Sequence, residues 1–354
     1  MTEMDGIDNT YNFTGLVPRG DKAINERYRP TTFHEIIGNQ ETKKSLAGWM
    51  ERGDKRSRSL FFWGPSGCSK TTFARILAMG LNCEKGDTVN PCGECPSCRA
   101  ALAGEAMHIR EYNMSALSTK DDADAIVNSM YDSTFTGRNS VVILDEIQGT
   151  STGSQNLMLK MLENPPNNTY VILATTDPQK ILKTIKTRCE QYEVRLPSSD
   201  DIKQMLGSVV KQEMPSMPLE QRKQILEACR GLGFREILMK LEKFIKGGGT
   251  GSIEEAFQQD FVGIAKAVLK GDYAEVLSQI DKCGDSFEIE GSRRIVRTWL
   301  CNQIKYCMDK GDGQAAKRML LAFRVFDKGF YTDPNPMPSF KADLFEACMI
   351  LNGM

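Results

Sequence analysis

The chain has 354 residues, with 45 lysines and arginines against 46 aspartates and glutamates. This length allows two to three domains at roughly 150 residues each, and the 40% hydrophobic and 26% charged fractions exclude a disordered or fibrous protein. No apolar run approaches the roughly 18 residues that span a bilayer, and the acidic N-terminus lacks the apolar segment of a secretory signal. We therefore expect a soluble, cytoplasmic protein with no membrane partner.

The net charge of −1 neither supports nor excludes nucleic-acid binding, so any DNA-binding surface must be local. Only two histidines are present, His34 and His108, which argues against a Ser-His-Asp triad and against a metal site built from several histidines. The eleven cysteines are more informative, because several of them crowd into one short segment.

The N-terminal half predicts a parallel α/β sheet. The first 20 residues are polar and irregular, and residues 16–20 (Leu-Val-Pro-Arg-Gly) read either as native sequence or as a protease-cleavage linker left by an expression vector. From residue 21 to residue 197, short apolar runs alternate with helical patterns. The clearest predicted strands cover residues 59–63, 141–144 and 170–174.

The C-terminal half predicts helices alone. Residues 198–246 form a small helical region, with helices predicted over 201–212, 219–230 and 234–245. A glycine-rich linker occupies residues 247–252. Residues 253–354 show helical spacing and no convincing strand, so we expect an all-helical final domain whose apolar positions serve as core.

A phosphate-binding loop follows the first predicted strand. Residues 64–72 read Gly-Pro-Ser-Gly-Cys-Ser-Lys-Thr-Thr and open a helix over 72–81, at the spacing of a P-loop. Small residues let backbone N–H groups turn toward a phosphate, and the helix N-terminus adds a favourable dipole. Lys70 would pair with β- and γ-phosphate oxygens, and the Thr71 hydroxyl would ligate Mg²⁺. The nucleotide-binding candidates in this segment are Gly64, Gly67, Ser69, Lys70, Thr71 and Thr72.

Two carboxylates supply the second half of the same site. Asp145 and Glu146 directly follow the apolar run over 141–144, at the end of a buried strand where open α/β sheets place their ligands. Asp145 would hold Mg²⁺, and Glu146 would orient or deprotonate the attacking water. The pair and the P-loop together predict an ATP-hydrolysing site.

The four crowded cysteines predict a metal site. Cys83, Cys92, Cys95 and Cys98 supply enough thiolates to close a tetrahedral Zn²⁺ shell, and glycine and proline between them favour the tight turns that it needs. A structural zinc is the favoured interpretation. An iron–sulfur cluster is the main alternative, because it also takes four cysteines, and disulfides come third.

With these motifs in place, the chain resembles the gamma/tau subunit family of the bacterial DNA polymerase III clamp loader, which are AAA+ ATPases. Residues 27–40 match the family's opening motif, residues 81–98 match its zinc insertion, and the best match runs over residues 159–189. The resemblance implies an α/β P-loop AAA+ core with a parallel sheet over 21–197, carrying the zinc insertion at 83–98. A small helical lid over 198–246 and an all-α collar, or oligomerisation domain, over 253–354 would follow.

The resemblance also implies roles that spacing alone cannot assign. Arg29 and Pro30 lie in the motif that packs around the adenine, Thr176 resembles the sensor of the γ-phosphate, and Arg235 sits where the lid carries a second sensor arginine. Arg188 resembles an arginine finger that reaches the ATP of the neighbouring subunit. Such a guanidinium stabilises charge on the transferring phosphoryl group and is worth ~10³–10⁵ in rate.

Three positions depart from the family pattern. Ser69 replaces the second P-loop glycine and will cost affinity or rate if the backbone there needs an angle suited to glycine. Gln148 stands where a histidine is common, and Thr187 replaces a serine. The sequence ends after the helical region, like the short form of the family, and its divergence also fits a phage-encoded relative.

A clamp loader should grip DNA by its backbone rather than by its base edges. Ser118, Thr119 and Lys120 precede a helix predicted over 121–130 and form the first candidate contact; Thr152 and Ser154 form a second. The alternative is that these residues only cap their helices.

The function expected from the sequence is therefore an ATPase subunit that opens a sliding clamp and places it on primer–template DNA, with ATP, Mg²⁺ and Zn²⁺ as cofactors. Its partners would be the clamp and other loader subunits in a pentameric ring. The alternatives are an AAA+ assembly or stator subunit that hydrolyses little, and a different AAA+ DNA motor for recombination or branch migration.

Overall fold

The computed structural model describes residues 15–117, 119–132, 138–229, 231–247, 262–283, 289–327 and 336–353. The chain divides into two compact units. The first contains residues 1–222 and 232–246, and the second contains residues 223–231 and 247–354. The predicted linker over 247–252 lies almost wholly outside the described residues.

A five-stranded parallel sheet forms the centre of the first unit. Its strands are β1 (Ser59–Trp63), β2 (Ile109–Asn113), β3 (Ser140–Asp145), β4 (Thr169–Thr175) and β5 (Glu190–Glu193). They lie in the order β2-β3-β4-β1-β5, and every pairing is parallel. The three predicted strands are confirmed and occupy the middle of the sheet. The prediction missed β2 and β5, which form its two edges.

Both faces of the sheet are buried, because side chains alternate along each strand. On β1, Leu60 and Phe62 join one hydrophobic cluster, while Phe61 between them joins the cluster on the opposite face. Val141 and Val142 of β3 alternate in the same way. Apolar residues therefore follow one another without a polar break, as expected for a parallel strand covered on both sides.

Helices cover both faces of this sheet. The helices of the first unit are α1 (Ile24–Arg27), α2 (Gln40–Glu51), α3 (Lys70–Leu81), α4 (Pro96–Ala103), α5 (Lys120–Asp132), α6 (Thr152–Glu163), α7 (Lys183–Lys186), α8 (Ser199–Glu213), most of α9 (Leu219–Ala228) and α10 (Phe234–Lys246). Trp49 of α2 and Phe73 of α3 pack on one face, and Ile126 of α5 and Met158 of α6 pack on the other. The predicted α/β core and the three predicted lid helices, α8 to α10, are present.

The described residues before α1, residues 15–23, are irregular, and contacts with α8 hold them in place. Leu16 is only 5% exposed; its backbone N–H donates to Ser208 Oγ at 2.9 Å, and its carbonyl accepts from Gln212 Nε2 at 2.9 Å. Arg19 forms an ion pair with Glu35. Residues 16–20 thus have specific partners within the unit, which favours native sequence over a vector-derived linker.

The second unit is helical throughout its described part. Its helices are α11 (Val262–Lys270), α12 (Tyr273–Cys283), α13 (Ile289–Asp309), α14 (Gly313–Val325) and α15 (Pro336–Leu351), together with the end of α9. Ile264, Val276, Leu300 and Phe340 are fully buried in one shared core. This agrees with the predicted all-helical final domain. None of the described helices is long and apolar enough to cross a membrane.

Candidate functional site

The P-loop connects the end of β1 to the start of α3, and two of its glycines are required by the geometry. A Cβ at Gly64 would lie 1.9 Å from the carbonyl oxygen of Val194, so any side chain here collides with backbone. Gly67 adopts φ +71°, in the left-handed region, where its Cβ would meet Gly233 at 3.2 Å. The loop is therefore folded tightly against neighbouring backbone, and its N–H groups lead into the N-terminus of α3.

Ser69 occupies the position of the second P-loop glycine and adopts a glycine-like backbone. Its φ of 84° and ψ of 19° place it in the left-handed region immediately before α3. An L-residue in that region carries a cost of roughly 1–2 kcal/mol. The strain anticipated from the sequence at this position is thus present.

Lys70 is the first residue of α3, and its side chain folds back over the loop. The ammonium donates to the carbonyls of Gly64 at 2.8 Å and Pro65 at 2.7 Å, and the residue is only 5% exposed. Among the described residues, no carboxylate forms an ion pair with it. A buried cation with only neutral acceptors is suited to an anionic ligand, such as a phosphate.

Thr71 and Asp145 lie in contact, as their predicted shared role requires. The Thr71 hydroxyl donates to Asp145 Oδ2 at 2.6 Å, because α3 starts beside the carboxyl end of β3. A hydroxyl and a carboxylate oxygen side by side are the donor set that Mg²⁺ takes in nucleotide sites, so the residues fit this ion.

Glu146 follows β3 in a left-handed conformation, with φ 54° and ψ 41°. Its Oε2 accepts hydrogen bonds from the Gln148 amide and, at 3.2 Å, from the Thr176 hydroxyl. The structure therefore brings the predicted base and the predicted γ-phosphate sensor together. It joins them through Gln148, which the sequence marked only as a departure from the family pattern.

An open pocket of about 630 Å³ collects these residues on one side of the first unit. The predicted residues Arg29, Pro30, Gly67, Thr72 and Arg235 also line it, whereas Gly64 and Thr176 are not among its lining residues. The sequence did not single out the remaining lining residues, which are Asn25, Tyr28, Ser66, Phe234 and Leu238.

Arginines give this pocket a positive rim. Arg29 forms an ion pair with Glu26. Burial lowers the pKa of the Arg29 guanidinium, and the nearby positive charges of Arg75 and, to a smaller extent, Arg235 lower it further. The Nε of Arg29 is buried without a hydrogen-bond partner. Arg75 itself is neutralised by Glu111, to which it donates two hydrogen bonds at 2.7 and 2.8 Å. Since Glu26 and Glu111 pair with Arg29 and Arg75, Arg235 is the arginine of this rim for which the described residues supply no ion pair.

Arg188 does not line the pocket of its own chain. It follows α7, where its Nε donates to Glu163 at 2.6 Å and one terminal nitrogen donates to the carbonyl of Thr184 at 2.9 Å. Cys189 beside it is buried, and burial raises the pKa of its thiol to about 12. Arg188 is therefore held in a defined position away from this chain's own phosphate loop, as a finger acting on a neighbour would be.

At the first candidate DNA contact, the structure shows helix capping. Thr119 caps α5: the backbone N–H of Asp122 donates to its hydroxyl oxygen at 3.1 Å, and that hydroxyl donates to the Asp122 carboxylate at 2.5 Å. Asp121 and Asp122 place negative charge in the first turn after Lys120, and Ser118 lies outside the described residues. The capping role left open by the sequence is thus present, and DNA contact here stays a prediction. At the second candidate, Ser154 is fully buried, which excludes direct contact with DNA.

The four clustered cysteines meet directly after α3. The Sγ atoms of Cys83, Cys92, Cys95 and Cys98 all lie within 4.8 Å of one another, and those of Cys92 and Cys98 are 3.9 Å apart. A tetrahedral zinc with bonds of ~2.3 Å separates its sulfur ligands by about 3.8 Å. The cluster therefore fits a closed four-thiolate metal site, and the four thiols are not joined by disulfides.

Backbone N–H groups stabilise negative charge on one of these sulfurs, that of Cys92. Cys92 accepts from the backbone of Cys95 at 3.4 Å, and such bonds lower the pKa of the Cys92 thiol to about 6. Cys95 in turn caps α4 by accepting from the backbone of Cys98. Cys92 is thereby favoured as a thiolate, the form that binds metal, whereas burial raises the pKa of the Cys98 thiol.

The sheet order, the P-loop and the helical region that follows form an α/β P-loop core with the AAA+ fold. A single-residue mutant of Thermotoga maritima RuvB superposes with a TM-score of 0.50 and 17% sequence identity, covering 78% of this chain and 91% of RuvB. A likeness at this identity shows the fold alone.

Sequence comparisons find similar proteins among DNA polymerase III subunits. The family model described as "DNA polymerase III, delta subunit" matches residues 38–198. The gamma/tau subunit of DNA polymerase III from Mycobacterium bovis is 30% identical over 261 residues, which cover 73% of this chain and 45% of the relative. The gamma subunit from Buchnera aphidicola of Schizaphis graminum is 32% identical over 221 residues, which cover 62% of this chain and 60% of the relative.

The Escherichia coli tau subunit is 33% identical over 192 residues, or 54% of this chain and 30% of the relative. These matches confirm the resemblance: much of the chain is similar in sequence to gamma/tau subunits of DNA polymerase III. It spans about half the length of the curated relatives it matches first, so the activity and partners of those whole subunits do not transfer with the match.

Proposed function

We propose that the protein is an ATP-hydrolysing subunit of a clamp loader, which uses ATP binding and hydrolysis to open a ring-shaped clamp and place it on primer–template DNA. One observation carries the hydrolytic part of this proposal. The Thr71 hydroxyl lies 2.6 Å from Asp145, beside the buried Lys70 and next to Glu146. These neighbouring side chains can together bind a phosphate chain, its metal ion and an attacking water.

Each residue then has a physical role. Lys70 exchanges its bonds to the loop carbonyls for bonds to phosphate oxygens, which gives its buried charge an anionic partner. Glu146 orients the attacking water and accepts its proton. Arg29 and Arg235 add positive charge at the rim of the pocket, where Pro30 offers an apolar surface to the base.

Thr71 and Asp145 would hold Mg²⁺, which when bound neutralises charge on the phosphate oxygens. Arg188 would act on the ATP of a neighbouring subunit, so full turnover requires an oligomer; a pentameric ring of loader subunits is the arrangement we propose. The position of Arg188 outside its own pocket supports action in trans.

The cysteine cluster is proposed to hold a structural zinc rather than a catalytic one. Four protein thiolates fill a tetrahedral shell and leave no position for water or substrate. An iron–sulfur cluster uses the same ligands and remains the alternative. We place the protein in the cytoplasm of a bacterial cell or of a phage-infected host, with the sliding clamp, primed DNA and other loader subunits as partners.

Steady-state ATP turnover tests the proposal. Turnover is measured with and without primed DNA and the cognate clamp, for the wild type, Lys70→Ala and Arg188→Ala. We expect DNA and clamp together to stimulate the wild type and both substitutions to abolish that stimulation. Arg195→Ala is the matched control for Arg188→Ala, because Arg195 is a solvent-exposed arginine paired with Glu193 and should leave turnover unchanged.

Two alternatives predict other results. Equal turnover in all forms, or none in the complete loader, would reject an ATPase role and favour an assembly subunit that hydrolyses little; the strained Ser69 is the observation on that side. Stimulation by branched rather than primed DNA would favour a recombination or branch-migration motor. The cysteine cluster favours the clamp loader over this last alternative.

A further inference from the structure

We propose that Gln148 is a positioning residue for ATP hydrolysis, which couples the orientation of Glu146 to the state of the Thr176 hydroxyl. This inference rests on the proposed ATPase function and goes one step further, because it identifies how γ-phosphate sensing and the base are connected within one chain. Gln148 lies in the short 3₁₀ turn over Ile147–Gly149 that follows β3 and Glu146.

The amide of Gln148 uses its full hydrogen-bonding capacity within this network. Its Nε2 donates to Glu146 Oε2 and, at 2.8 Å, to Thr176 Oγ1. Its Oε1 accepts from the Thr175 hydroxyl at 2.6 Å and from the backbone N–H of Thr176 at 3.3 Å. A primary amide has two donors and two acceptor sites, and all four are occupied here. The side chain is consequently fixed in one orientation.

These bonds bridge the ends of two neighbouring strands. Glu146 follows β3, and Thr175 is the fully buried last residue of β4, which pairs with β3 along its length. Gln148 therefore holds the Glu146 carboxylate in a fixed position relative to the end of β4. The backbone of Glu146 is left-handed, a conformation that persists only where surrounding contacts hold it.

The Thr176 hydroxyl makes this network responsive. It donates to Glu146 Oε2 at 3.2 Å, and a hydroxyl has only one proton to give. When a phosphate oxygen accepts the hydrogen bond from this hydroxyl instead, Glu146 loses one hydrogen bond. Its Oε2 is then open to a water molecule. Gln148 continues to hold both the carboxylate and the Thr176 backbone, so the base is freed for water without losing its position.

A histidine at this place could not make the same set of bonds. A neutral imidazole has one donor and one acceptor, and an imidazolium has two donors and no acceptor. Either form must give up some of the four contacts, and the choice between them depends on pH. The glutamine makes the network independent of pH across the range in which histidine titrates.

The experiment compares the full chain, assembled with clamp and primed DNA, as wild type, Gln148→Met and Gln148→His. Methionine keeps the length of the side chain and removes its hydrogen bonds. We expect Gln148→Met to lower kcat at least about tenfold, with KM for ATP, affinity for ADP and melting temperature within about twofold or 2 °C of the wild type. Gln148→His should gain an ionisation near pH 6.5 in its kcat profile that the wild type lacks. Gln179→Met, an exposed glutamine beyond Thr176, is the matched control.

A double-mutant cycle separates coupling from a merely structural effect. Thr176→Val and Gln148→Met should lower kcat less in combination than the product of their single effects, because each breaks the same network. If the wild type hydrolyses ATP and Gln148→Met retains its kcat, or if the effects multiply, the positioning role is overturned while the proposed function stands. If the wild type neither binds nor hydrolyses ATP, the proposed function fails first and the inference falls with it.

Discussion

Ser69 provides the sharpest test of how backbone geometry limits this site. Its φ of 84° and ψ of 19° lie in the left-handed region at the entry to α3. Replacing it with glycine should relieve strain in the folded protein and should give the loop the residue that its geometry favours. Ser69→Gly changes no charge and leaves Lys70, Thr71 and Asp145 in place.

The size of the effect follows from two opposing contributions. Relief of an L-residue from the left-handed region contributes roughly 1–2 kcal/mol. The added freedom of glycine in the unfolded chain costs about 0.5–1 kcal/mol. We therefore expect a net gain between zero and about 1.5 kcal/mol, and a gain of about 1 kcal/mol raises the melting temperature by about 2–4 °C for a unit of this size. If the loop tightens further around ATP, the backbone strain at Ser69 also weakens ATP binding in the wild type. The affinity of Ser69→Gly for ATP should then exceed that of the wild type by up to about fivefold.

Thermal unfolding and nucleotide titration of Ser69→Gly and Ser69→Ala check these values. Alanine keeps the Cβ and removes the hydroxyl, so Ser69→Ala should gain neither stability nor affinity. A loss of stability in Ser69→Gly of about 1 kcal/mol or more would refute the reasoning, since it would mean that the Ser69 side chain stabilises the loop more than its backbone strains it.

Further predictions concern other parts of the first unit. Lys43 is fully buried, and burial lowers the pKa of its ammonium to about 8. The free energy of unfolding of the wild type should therefore rise between pH 8 and about 10.4, because the folded protein loses this proton before the unfolded chain does. Lys43→Met should flatten this rise and add about 1–3 kcal/mol to the free energy of unfolding at pH 7, measured by denaturant unfolding. Thr71→Val should lower Mg²⁺-dependent ATP turnover at least about tenfold and leave metal-free ADP binding unchanged by calorimetry. Arg188→Lys should reduce turnover nearly as much as Arg188→Ala, because an ammonium does not reproduce the planar guanidinium fork; a rate near that of the wild type would contradict this. Elemental analysis should find about one zinc per chain, and less than about half an equivalent would count against the site at Cys83 to Cys98.

The sequence predicted the middle of the sheet better than its edges, for a physical reason. β1, β3 and β4 are covered on both faces, so their residues are almost all apolar and stand out. The edge strands read Ile-Arg-Glu-Tyr-Asn and Glu-Gln-Tyr-Glu, and their residues are mostly part-exposed. Their strand conformation comes from pairing with β3 and β1, which no local pattern encodes.

In the candidate site, too, the sequence predicted the contacts that local rules set and missed those that depend on strand pairing. Spacing was enough to predict that Lys70, Thr71 and Asp145 meet, because the loop, the helix and the strand end are each set by local rules. It could not show that Gln148 joins Glu146 to Thr176, since that contact depends on the adjacency of β3 and β4. A glutamine is ordinarily a solvated side chain, and only its four hydrogen bonds, to Glu146, Thr175 and Thr176, point to a role here.

One helix connects the two sites that the sequence predicted separately. α3 begins with Lys70 at the phosphate loop and ends at Leu81, shortly before Cys83 of the metal cluster. Arg138 donates to the carbonyls of both Leu81 and Cys83, so the end of this helix is tied to the segment that precedes β3, the strand that carries Asp145. A closed metal site suits this place because it fixes a turn without chemistry of its own. We therefore propose that the cysteines, once they bind a metal, support the candidate nucleotide pocket by holding the far end of the helix that begins at the P-loop.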